Sequence, residues 1–267
     1  MPAPTEITCA QLARLVGTPE APVLVDLRDD AAYARDPRLL PASRRYAPDS
    51  VIAWGPLLAR RKSVLIGDSA DAHGMAAWLR ANATPAEVLE GGFDAWREGG
   101  GLLMNPGKCP RRDPDGRTVW VTRLRPKIDR IACPWLIRRF IDPDALFLYV
   151  PQAEVAAVAE RSGGAAFDVD GVFWSHRGEA CTFDTMLQEF GLESPTLARL
   201  AAIVCAADTD RLDTAPQAAG LLAASLGLSR MYRDDLEQLD ASMPLYDAFY
   251  RWARDAVDEG HTWPARR

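Results

Sequence analysis

The β-branched run Thr118–Thr122 is followed by Pro126 and then by an apolar pattern that reaches Ile141. Such a change of period specifies a buried strand feeding directly into an amphipathic helix. Ile128, Ile131, Ala132 and Trp135 fall on one face of that helix, which must therefore pack against a core. Pro126 suits the first helical turn, where its missing N–H removes no hydrogen bond. Six cations, Arg123, Arg125, Lys127, Arg130, Arg138 and Arg139, crowd the same stretch in a chain of net charge −6. Backbone donors at a helix start beside several cations attract anions, so Arg123, Arg125, Lys127 and Arg130 are candidate anion contacts.

With 267 residues and 48% apolar content, the chain is long enough for two medium domains with real cores. Residues 105–117 interrupt it with prolines, glycines and no apolar period, the composition of a linker. Domains are therefore expected over residues 1–104 and 118–267. In the first, Val23–Leu27, Ser63–Ile66 and Glu87–Leu89 fit short buried strands, with a helix over Gly74–Ala83; alternation of this kind implies an α/β parallel sheet flanked by helices. The second is expected to be mainly helical α+β. Its helices fall over Pro126–Ile141, Phe183–Phe190 (capped by Thr182 and stopped at Gly191), Pro195–Asp208, Ala215–Leu226 and Tyr232–Val257, the last broken near Pro244. Short strands are expected around Ala145–Val150 and Ala166–Trp174.

The residues through Gly116 carry 14 basic and 15 acidic side chains, the remainder 17 and 22. Neither part has the positive charge of a nucleic-acid module. No apolar run reaches bilayer length, and the start of the chain lacks a signal-peptide pattern, so a cytoplasmic protein without membrane contact is expected. Cys9, Cys109, Cys133, Cys181 and Cys205 form no CxxC pair, which suits free thiols.

Three segments, VLVDLRDDAAY (Val23–Tyr33), SVLIGDSADAHGMAAWLR (Ser63–Arg80) and VLEGGFDAWREGG (Val88–Gly100), resemble the rhodanese family. The resemblance implies a loop after the central strand that opens with a persulfide-bearing cysteine. Here Gly67 and Asp68 stand there, and Asp68 and Asp71 would repel an anionic sulfur donor; His73 is expected at the surface. A domain inactive in sulfur transfer, kept for contact with a protein partner, is the expectation.

TRLRPKIDRIACPWLIRRFIDPDALF (Thr122–Phe147), AAFDV (Ala165–Val169), HRGEACTFDTMLQEFGL (His176–Leu192), LAAIVCAADTD (Leu200–Asp210) and LYDAFYRW (Leu245–Trp252) resemble, block by block, the C-terminal domain of ChrB-type chromate-resistance proteins. The resemblance implies a stress-response role tied to chromate, sulfate or a similar oxyanion, often in regulation. The family pattern commonly has a histidine where Cys205 stands and a glutamate where Asp184 stands. Both replacements here keep ligand capacity.

Two constellations could carry chemistry. Asp129, at the helix start, shares a face with Cys133, Leu136 and Phe140; it either complements the helix dipole or belongs to an anion site. His176, Cys181, Asp184, Cys205 and Asp208 combine imidazole, thiol and carboxylate donors of the kind that hold Zn²⁺ or a similar divalent ion. Glu179, Tyr246 and Asp247 are supporting candidates. Core burial would explain the cysteines equally well. The leading expectation is a chromate-resistance accessory or sensor protein binding a metal ion or oxyanion. The alternatives are a metal-dependent hydrolase or redox enzyme, or a regulator of a chromate-resistance operon.

Overall fold

A computed structural model describes residues 5–58, 60–67 and 69–260; Asp68 and His261 lie outside them. The chain forms two compact units. One holds the residues up to Lys108 with Arg138–Pro143, the other Cys109–Ile137 with the residues from Asp144 onward. No helix among the described residues is long and apolar enough to cross a membrane.

The first unit runs β1 (Glu6–Ile7), α1 (Cys9–Leu15), β2 (Val23–Asp26), α2 (Asp30–Arg35), β3 (Arg44–Arg45), α3 (Val51–Trp54), β4 (Ser63–Ile66), α4 (Ser69–Ala81), β5 (Ala86–Leu89) and α5 (Gly92–Glu98). Its strands pair in parallel in the order β1-β5-β4-β2-β3. The central strand β4 is buried along its whole length, as a parallel sheet covered on both faces requires. Ala72, Ala76 and Leu79 of α4 pack on Val25, Leu65 and Val88. That packing carries α4 back to Ser69, ahead of the expected Gly74 start. An exposed mid-helix glycine costs only about 1 kcal/mol, less than the buried face returns. His73 lies at the surface with Nε2 2.9 Å from Glu6 Oε1.

At the carboxyl end of β2, Asp26 and Arg28 form a buried ion pair at 2.6 Å. The same guanidinium donates to the carbonyls of Asp36 and Arg38 and lies 3.5 Å from the centre of the Phe93 ring. All three guanidinium nitrogens thereby donate to an acceptor, which removes much of the desolvation cost of a buried charge. Gly92 has φ +60, and a Cβ there would approach the Gly67 carbonyl oxygen to 3.1 Å. Glycine is needed because α5 begins against the end of β4.

The second unit runs β6 (Val119–Arg123), α6 (Ile128–Leu136), β7 (Leu146–Val150), α7 (Val155–Ser162), β8 (Ala165–Ala166), α8 (Thr182–Phe190), α9 (Pro195–Asp208), α10 (Ala218–Met231) and α11 (Asp235–Asp255). The strands again pair in parallel, in the order β7-β6-β8. Helices dominate as expected, but the α+β expectation gives way to a small parallel α/β layer. The helices between successive strands supply the long crossovers that parallel pairing requires. Only Ala165 and Ala166 are strand in the segment expected to be extended to Trp174, with one further bridge between Phe167 and Trp174. Trp120 fills the space beneath, edge-on to Phe167 and Trp174, while Trp174 stacks on Phe190 at 4.8 Å.

Prolines redraw three helix boundaries. α6 begins at Ile128 with Lys127 as its cap residue, so Pro126 precedes the helix, and its carbonyl accepts from Gln238 Nε2 at 2.7 Å. Pro134 lies inside α6, where it has no N–H for the Arg130 carbonyl. The Tyr149 hydroxyl supplies the missing donor at 3.0 Å, and the helix passes into a π turn at Ile137–Ile141. α11, expected to break near Pro244, is continuous. Its buried Leu239, Met243, Tyr246 and Tyr250 outweigh a proline penalty of about 3 kcal/mol.

Replacing Tyr149→Phe should cost about 1–2 kcal/mol in urea denaturation, the price of an orphaned carbonyl. In a Pro134→Ala background, which restores the backbone donor, the same change should cost measurably less. Equal costs in both backgrounds would refute this role for the hydroxyl.

Candidate functional site

In parallel α/β layers, ligands gather outside the carboxyl ends of the strands, where successive connections part to opposite sides. β6 is central here, with β7 on one side and β8 on the other. Arg123 ends β6, and Asp168 follows β8 with φ +51, a left-handed conformation that aspartate tolerates better than most residues. A cavity of about 330 Å³ opens at these ends, lined by Arg123, Gln152, Asp168, Val169, Asp170, Ser175 and His176.

Two of its lining residues, Asp168 and His176, belong to a cluster in which three carboxylates meet one imidazole. His176 Nε2 lies 3.2 Å from Asp208 Oδ2, 3.4 Å from Asp168 Oδ1 and 3.5 Å from Asp129 Oδ2. Each comes from a different element. Asp129 is in the first turn of α6, Asp208 closes α9, Asp168 sits in the bend after β8, and His176 precedes the tight turn Arg177–Ala180. Thr185 of α8 donates to the Ser175 carbonyl at 2.9 Å and so holds the His176 loop against that helix.

Helix starts organise the carboxylates. The first N–H groups of a helix lack internal partners. The Thr182 N–H at the start of α8 donates to Asp129 Oδ2 at 2.6 Å, and the Asp129 N–H at the start of α6 donates to Asp208 Oδ1 at 3.4 Å. The Thr182 hydroxyl donates to Asp168 Oδ1 at 2.9 Å. Thr182 was expected to be the cap of α8; Cys181 takes that place, and Thr182 reads two carboxylates instead.

Asp129 is fully buried, and its Oδ1 has no hydrogen-bond partner among the described residues. Burial, then the Asp208 and Asp168 charges, push its carboxyl well above the usual range; burial and Asp168 raise Asp208. His176 is pushed up to about 9, chiefly by its hydrogen bond to Asp168. So many carboxylates around one imidazole form a donor set for a cation, and Asp129, His176 and Asp208 have ligand atoms within 4.8 Å of one another.

The expected five-member metal set divides in two. His176 and Asp208 join Asp129, a residue outside that expected set. Cys181, Asp184 and Cys205 form a separate group, again within 4.8 Å. The thiol of Cys205 is lowered to about 7 by a hydrogen bond from Cys181, whose own thiol rises through that bond and burial. Glu179 is exposed and paired with Arg211 at 3.3 Å, while its carbonyl accepts from Cys205 Sγ at 3.5 Å. Tyr246 and Asp247 do not line the cavity. The Tyr246 hydroxyl donates to the Ile128 carbonyl, and Asp247 accepts from Trp135 Nε1 at 2.8 Å; both brace α6 from α11.

The four anion candidates do not converge. Arg125 is spent on α10, donating to the carbonyls of Ser229 and Tyr232, with its backbone N–H on Asp235. Arg130 faces Asp168 at 3.7 Å and is lowered by burial. Lys127 is exposed at the α6 cap, and Arg123 alone lines the cavity. At the start of α6 the Asp129 N–H already donates to the Asp208 carboxylate. Asp168 was missed by sequence reasoning. Its one signal is its place, immediately after a short apolar run at a strand end.

Fold and site together define a helix-rich parallel α/β domain with a buried carboxylate–imidazole centre at its strand ends. The family model described as ChrB, C-terminal domain, matches residues 120–253, half of the chain, and the chain belongs to that family. It is 36% identical over 160 residues to Protein ChrB of Cupriavidus metallidurans, covering 56% of this chain and 48% of that protein. The chain thus spans about half the length of the curated relative it matches. No solved structure matches it.

Asp129→Asn keeps the acceptor for Thr182 while removing one of three crowded negative charges. With chelator present, the variant should be more stable than the parent by about 1–2 kcal/mol in denaturant unfolding, as expected when a poorly compensated buried charge is removed. A loss of similar size would mean that the charge itself is holding the two helix starts together.

Proposed function

We propose that this chain is a cytoplasmic chromate-resistance accessory or sensor protein whose C-terminal domain binds a divalent cation through Asp129, Asp168, His176 and Asp208. Membership in the ChrB C-terminal domain family supports the link to chromate resistance. One observation carries the cation: a fully buried carboxylate with an unpartnered oxygen, Asp129, faces an imidazole and two further carboxylates. Buried acids in such numbers are destabilising unless a cation compensates them. Oxygen donors with one imidazole suit Mn²⁺, Zn²⁺ or a similar borderline-to-hard ion.

The cation would also explain how an oxyanion is received in an acidic pocket. Chromate, or sulfate as its analogue, would enter the cavity beside exposed Arg123 and meet the metal's positive charge rather than bare carboxylates. A loaded pocket then differs from an empty one in charge and in the set of the His176 loop, which is what a sensor must transmit. The first unit enters this reading as a rhodanese-like partner-docking domain without sulfur transfer. Gly67 at the end of β4 and Asp71 beyond it offer no nucleophile, and the parallel order β1-β5-β4-β2-β3 suits that architecture.

Calorimetric titration of chelator-treated protein with Mn²⁺ and Zn²⁺ should show a site that His176→Ala and Asp208→Asn each weaken by roughly tenfold or more. Chromate and sulfate should then raise the melting temperature of the metal-loaded protein and leave the metal-free protein unchanged, since a ligand of the native state stabilises it. Equal oxyanion shifts with and without metal would leave the anion site without its cation, and no metal binding would end the proposal.

A further inference from the structure

Cys181, Asp184 and Cys205 remain unexplained by the carboxylate centre. Cys181 is the cap residue of α8, Asp184 lies in the first turn of the same helix, and Cys205 projects from α9. Two thiols and a carboxylate thus converge from two helices, with all three ligand atoms within 4.8 Å. Core packing accounts for Cys181, which is fully buried, and the capping box of α8 turns the half-buried Asp184 carboxylate back toward it; together they set a carboxylate beside two sulfurs. An anionic neighbour opposes thiolate formation, and a cation reverses that penalty.

We infer that these three side chains form a second cation site, separate from the carboxylate–imidazole centre and selective for thiophilic ions such as Zn²⁺ or Cd²⁺. Two sulfurs make this donor set soft, whereas three carboxylates and an imidazole make the other comparatively hard. The local frame is rigid. The Cys181 N–H donates to Asp184 Oδ2 at 3.3 Å, which fixes the carboxylate relative to the cap. The Glu179 carbonyl lies 3.5 Å from Cys205 Sγ, a further oxygen donor at the edge of the group. Arg211, paired with exposed Glu179 at 3.3 Å, borders the site on the solvent side. Binding needs only the release of two thiol protons to solvent as two sulfur–metal bonds form.

The site is independent of the proposed function, and one titration separates them. Cd²⁺ added to the chelator-treated full chain should develop an ultraviolet thiolate-to-metal charge-transfer band that saturates at a single equivalent. Cys205→Ser should remove about half of the band or more and weaken Cd²⁺ binding by roughly tenfold or more. Cys205→His, which keeps a ligand at the position, should retain binding with a diminished band; it also serves if the serine variant fails to fold. The band should persist in Asp129→Asn, whose carboxylate centre is disabled. Absence of a band, or a full band in both Cys205 variants, would overturn the site. A band lost in Asp129→Asn as well would merge the two centres into one.

Discussion

The carboxylate of Asp129 is the contact on which the second unit turns. It lies in the first turn of one helix and accepts from the first N–H of another. Asp208, at the end of a third helix, accepts in turn from the N–H of Asp129. Three helix ends are thereby tied through two acids, each satisfying a donor that helix geometry leaves open. The arrangement is acid-rich, because Asp129, Asp168 and Asp208 are met by one imidazole and by Arg130, which faces Asp168 at 3.7 Å, while the second oxygen of Asp129 has no hydrogen-bond partner among the described residues. A structure that concentrates acids in this way is poised for a cation.

Packing around that contact is built to keep it in place. Tyr246 and Gln238 of α11 reach the carbonyls of Ile128 and Pro126 and grip the start of α6. Trp135 is held by Asp247 and packs against Phe183 and Tyr250. The residues of the LYDAFYRW block therefore serve the site from behind. Their hydrogen bonds fix the direction of α6, and the direction of α6 sets where Asp129 points. On the open side, Arg123 and His176 share a cavity at the strand ends, so the one exposed cation of the original basic cluster that borders the centre is also placed to meet an incoming anion.

Much of this was legible in the residues. The buried strands β2, β4 and β5 stood out as short apolar runs because a parallel sheet hides both faces. α8 and α9 announced their limits through Gly191, Ser194 and Pro195, residues whose backbone preferences act locally. Imidazole, thiol and acid donors between His176 and Asp208 were recognisable as ligand types. Their division into two groups was not, since which donors share a point depends on how α6, α8 and α9 cross. Asp168 escaped for the same reason, and so did the fate of Arg125, whose partners lie at the end of α10 and the start of α11.

What the residue order determined by itself was local: where periods change, where helices stop, which side chains can ligate, and the family to which those blocks belong. Tertiary structure decided the rest, through burial. It carried α11 past Pro244 and replaced the lost donor of Pro134 with the Tyr149 hydroxyl. It also set the Asp208 carboxylate against the first N–H groups of α6. The physical reason is that helix propensity and capping act over a few residues at about 1 kcal/mol each. The fate of a buried charge is set instead by whichever groups the fold brings beside it.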